Sequence, residues 1–86
     1  MKTPYQVNLE LERIERLVPH LIDDQVERAE EILGFHFASL YASAPAEEHA
    51  LIAERSRILQ ARCRVAADQA QAAAFALDSR LQPQPA

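Results

Sequence analysis

Eighty-six residues leave room for one domain and exclude a second core; a lone chain of this size buries only about 60–65% of the surface its unfolded form exposes, so it is marginal on its own. A net charge of −4 argues against a nucleic-acid partner, which needs excess Lys and Arg to displace counterions from phosphate, and against a polybasic membrane-surface helix. No apolar run approaches the ~20 residues that span a bilayer. Met1-Lys2-Thr3-Pro4 is not followed by an apolar signal core, and the single cysteine, Cys63, cannot form an internal disulfide. The expected location is therefore cytoplasmic.

The composition is that of a helical protein: alanine, leucine, glutamate, arginine and glutamine dominate, and there is one glycine. These residue types lose least when fixed in a helix. The first helix is predicted over about residues 4–22. Thr3 can cap it, Pro4 suits a first position whose N–H has no partner, and Gln6 can close a capping box. Val7, Leu11, Ile14, Val18 and Leu21 then form one apolar stripe. Pro19 removes a backbone donor, which predicts a kink or a break there.

The second helix is predicted over about 25–42, started by Asp24 and Glu27 as a second capping box. Its stripe runs through Val26, Ala29, Leu33, Phe37 and Leu40, with His36 beside Phe37. Gly34 inside it costs roughly 1 kcal/mol relative to alanine, a cost that close approach of another helix would explain. Pro45 ends the Ser43–Pro45 connection, and the third helix is predicted over about 46–81. Residues 82–86 are expected to be a disordered tail.

The third helix carries a regular seam of Ile52, Ser56, Leu59, Cys63, Ala66, Ala70, Ala73 and Leu77, alternating steps of four and three as in a heptad pattern. Leu51, Ile58, Val65 and Ala72 make a second stripe beside it. Two stripes ask for two neighbours. The expected all-α fold is a single domain over 1–86: a long antiparallel helical hairpin, its first arm broken near Pro19, pairing as a homodimer into a four-helix bundle. The alternative is a compact three-helix bundle with about half of the third helix projecting. Phe35, Ile52, Leu59, Cys63, Ala66, Ala70, Ala73 and Leu77 are the expected interface, towards a second copy or another protein.

Candidate chemistry is sparse. Glu12/Glu15 and Glu27/Glu30 have the Glu-x-x-Glu spacing with which all-α nucleotide pyrophosphohydrolases hold Mg²⁺. That chemistry needs further carboxylates facing them, and the third helix offers only the scattered Glu54, Asp68 and Asp78. Arg55, Arg57, Arg62 and Arg64 could contact phosphate, but no aromatic platform accompanies them. They more simply complement the acidic segment 23–31. His20, His36, His49 and Cys63 lack the spacing of a helical zinc site, and Cys63 reads as a small core residue. One glycine cannot build a phosphate loop. No catalytic residue, cofactor or metal is expected. The leading expectation is a non-catalytic interaction protein, similar in build to helical adaptors, co-chaperones, antitoxins and inhibitors. A hydrolase using the glutamate pairs and a nucleic-acid regulator using Arg55–Arg64 are the alternatives.

Overall fold

The computed structural model describes residues 1–81, with side chains to Leu77; the expected tail at 82–86 lies outside the described residues. All regular structure among them is helical: α1 (Pro4–Gln25), α2 (Ala29–Ser43), a short 3₁₀ turn (Ala46–Glu48) and α3 (His49–Leu81).

α1 begins as its sequence suggests. The Gln6 N–H donates to Thr3 Oγ1 at 3.2 Å and the Thr3 N–H to Gln6 Oε1 at 2.9 Å, which satisfies two donors that a helix start leaves free. The expected break at Pro19 does not occur: Pro19 lies inside α1. It sits on the exposed face, as does Glu15 one turn earlier, so the Glu15 carbonyl that loses its helical partner is not sealed in the core. Continuing the helix keeps Val18 and Leu21 in line with Ile14, all buried. Each such side chain contributes about 1.5–3 kcal/mol when fully buried, against about 3 kcal/mol for an interior proline. Packing wins.

The chain turns instead at residues 26–28, without glycine or proline, through bonds from the Arg28 N–H to the Gln25 carbonyl (2.9 Å) and from the Ala29 N–H to the Val26 carbonyl (3.4 Å). Asp24 stays within α1, and α2 starts behind Arg28 with no side-chain cap, so the expected second capping box is not formed. Glu30 and Glu31 in the first turn of α2 face the positive end of its dipole instead.

The fold-back decides the architecture. The Lys2 N–H donates to the Ser43 carbonyl at 2.8 Å, so the start of α1 lies beside the end of α2. α1 and α2 are antiparallel neighbours, not an arm laid end to end, which corrects the expected hairpin. Glu15 meets Arg55, and further along Ile22 shares a surface depression with Ile58 and Val65, so α3 runs in the same direction as α1. One core takes Ile14 and Val18 from α1, Leu33 and Phe37 from α2, and Ile52 and Leu59 from α3.

α3 outruns this core. Its 33 residues extend for about 50 Å at 1.5 Å per residue, against about 33 Å for α1 and 22 Å for α2. Cys63 is its last buried residue, Ala66 and Ala67 are half-buried, and every residue from Asp68 to Leu77 is exposed. The long axis of the molecule is accordingly 66 Å, against 18 and 14 Å across.

Candidate interaction surface

The two stripes of α3 have different fates. Ile52, Leu59 and Cys63 of the first are buried by α1 and α2 of the same chain. Within this protomer they are core residues, so three of the eight residues of the expected interface set are already used. The same seam continues past the bundle as Ala66, half-buried, and then Ala70, Ala73 and Leu77, all exposed. The second stripe stands on the outside along the whole length, with Leu51, Ile58 and Val65 exposed at 38, 41 and 54% and Ala72 exposed beyond them. Phe75 is the most exposed of the large apolar side chains described on α3, at 75%.

Near the middle of α3 this outer stripe borders a depression lined by Ile22 of α1 with Ile58, Arg62, Val65 and Gln69 of α3. Ile22 was not singled out from the sequence. Its only signal was an isoleucine directly after the core residue Leu21, widening the apolar face of α1. Phe35 is exposed on α2 at 68%, away from this surface in sequence and helix alike.

Two ion pairs cross between helices and hold the bundle's register. Arg55 pairs with Glu15 across α1 and α3 at 3.5 Å, and the Arg64 Nε donates to Glu30 across α2 and α3 at 2.9 Å. Arg57 pairs with Glu54 on its own helix at 2.6 Å. The bond from Arg57 holds the Glu54 carboxyl below the usual carboxylate range, and the bond to Glu30 pushes the Arg64 guanidinium up. All three pairs are exposed, a setting in which solvent screening leaves an ion pair little net worth. The two that cross between helices, Arg55 with Glu15 and Arg64 with Glu30, select register more than they add stability. Among the described residues Arg62 makes no ion pair, and it stands at the edge of the depression.

This arrangement separates the glutamates read as a metal motif. Glu15 and Glu30 each face an arginine of α3, while Glu12 and Glu27 point to solvent. Among the described residues no group of three or more His, Cys, Asp or Glu is placed to hold a metal ion. His49 stacks on Tyr41 with ring centroids 3.8 Å apart, and its Nε2 lies 3.2 Å from the Ala44 carbonyl, which closes the α2–α3 connection. Burial in the core pushes the Cys63 thiol up, Glu30 adds to the shift and Arg62 opposes it; a protonated, enclosed thiol is a poor nucleophile.

No family model, curated protein or solved structure matches this chain. Among the described residues no helix is long and apolar enough to cross a membrane.

Proposed function

We propose that this chain is a non-catalytic, cytoplasmic interaction module that works by presenting the outer stripe of α3, and the arm beyond residue 67, to a second copy of itself or to another protein. One observation carries the reading: an apolar stripe from Leu51 through Ile58, Val65 and Ala72 stays uncovered along α3, ending beside an exposed Phe75. Contiguous exposed apolar surface on a small protein marks association. The non-catalytic part rests on the carboxylates and arginines most suited to chemistry being engaged with one another, Glu15 with Arg55 and Glu30 with Arg64.

The test is site-specific photo-crosslinking in the native cell, with the reactive group at Val65 or Phe75 and a control at Arg16 on the polar face of α1. Discrete crosslinked species at the first two positions and none at Arg16 are expected. Absence of any species at both Val65 and Phe75 overturns the reading.

A further inference from the structure

We infer that the occupant of the outer stripe is a second copy of this chain, its α3 packed antiparallel against the first with the two-fold axis at Val65. The inference rests on the interaction reading above and names its partner.

Length is the first reason. Val65 is the middle residue of α3, which runs from His49 to Leu81. It also marks where the chain's own core ends, since Cys63 is the last buried residue. A two-fold axis there lays the bare half of each α3 along the supported half of the other. Each three-helix section gains a fourth helix from its partner.

Side-chain size is the second. The stripe is large at one end (Leu51, Ile58) and small at the other (Ala72). The distance between packed helices follows the side chains between them, so parallel pairing would set large on large and small on small and splay the helices. Antiparallel pairing about Val65 sets Ile58 against the partner's Ala72 and Val65 against the partner's Val65, with nearly the same bulk at each level.

Charge selects the register. At 100° per residue, Arg55, Arg62 and Gln69 lie along one edge of the stripe and Glu54, Ala61, Asp68 and Phe75 along the other. Antiparallel two-fold packing brings each edge against the same edge of the partner. With the axis at Val65, Arg62 meets the partner's Gln69, Asp68 meets the partner's Ala61 and Phe75 meets the partner's Glu54. Moving the axis half a heptad towards the N-terminus sets Arg62 on the partner's Arg62 and Glu54 on the partner's Asp68. The opposite move sets Asp68 on the partner's Asp68. Facing like charges disfavour both.

Sedimentation equilibrium of the purified chain at micromolar concentration tests the inference. The wild type is expected to be a dimer. Val65→Asp and, separately, Ala72→Glu are expected to raise the dissociation constant by at least about 100-fold, the scale of losing a central buried contact. Both positions are exposed in the protomer, so helix content by circular dichroism should stay unchanged; two variants guard against one misfolding. In a Cys63→Ala background, Val65→Cys should form a disulfide-linked dimer on oxidation. Leu51→Cys should not, because the two copies of that position lie about 40 Å apart along antiparallel helices. A monomeric wild type overturns the inference while crosslinks to a different protein in the cell would keep the interaction reading. A dimer linked through both cysteines, or one indifferent to both charged variants, overturns the arrangement about Val65.

Discussion

Gln60 of α3 occupies the space that a side chain on Gly34 of α2 would need. A Cβ at Gly34 would stand 2.9 Å from Gln60 Nε2, and that nitrogen donates to the Glu30 carbonyl at 3.2 Å while Gln60 Oε1 accepts from the Ser56 hydroxyl at 2.9 Å. The glycine expected from sequence to admit a neighbouring helix admits this amide. Gly34→Ala gains about 1 kcal/mol of helix propensity but displaces a hydrogen bond worth about 0.5–1.5 kcal/mol, so it should be close to neutral alone. In a Gln60→Ala background the clash is gone, and the same change should stabilise by about 1 kcal/mol. A double-mutant cycle by urea denaturation measures the difference; strict additivity would show that the two residues do not compete.

Pro19 is tolerated, not used. Its ring removes the bond to the Glu15 carbonyl within a helix that continues on both sides. Pro19→Ala restores that bond and should raise stability by about 1–3 kcal/mol, part of the usual interior-proline cost being offset by the freer unfolded chain. A fall in the thermal midpoint would mean that the turn at residues 26–28 depends on the proline.

Cys63 links stability to alkaline pH. Its thiol pKa is raised in the folded state by burial. A group whose folded pKa exceeds its unfolded value stabilises the fold below the unfolded pKa and loses that contribution as pH rises through the folded one. The thermal midpoint should therefore fall above the ordinary thiol range, near ~8.5, and Cys63→Ala should flatten that fall. At mildly alkaline pH, alkylation of the native protein should proceed only as fast as it opens.

The arm contributes nothing to the protomer's own core. Among the described residues, ending the chain after Gln71 removes only exposed ones, 72–77, so the isolated protomer should lose less than about 1 kcal/mol, as expected for exposed termini. Introduced in the Val65→Asp background, to remove any contribution from association, the truncation should leave the chemical-denaturation midpoint nearly unchanged. A large loss would mean that residues beyond 71 fold back on the bundle.

Much of this was readable locally. The Thr3–Gln6 capping box, the stripe from Val7 to Leu21 and the uninterrupted α3 all follow from short-range chemistry: a donor to be capped, an apolar period of 3.6, and the absence of a breaker. The sequence also showed α3 carrying two apolar stripes. It could not show which one the chain would cover, because Ile52 and Ile58 are equally apolar and differ only in what lies opposite. The interface set accordingly took in Ile52, Leu59 and Cys63 and left out Ile58, Val65 and Ile22.

What the residues settled unaided was helical content and the faces that each helix would want to bury, since both depend on neighbours within a few positions. Only the tertiary structure decided where the chain reverses. A proline on a solvent-facing position costs less than exposing Val18 and Leu21, so α1 runs on through Pro19. A glycine-free turn at residues 26–28 folds α2 back along it. That reversal shortens the supported part of α3, and the balance between one backbone bond and two buried side chains is what leaves its far half bare.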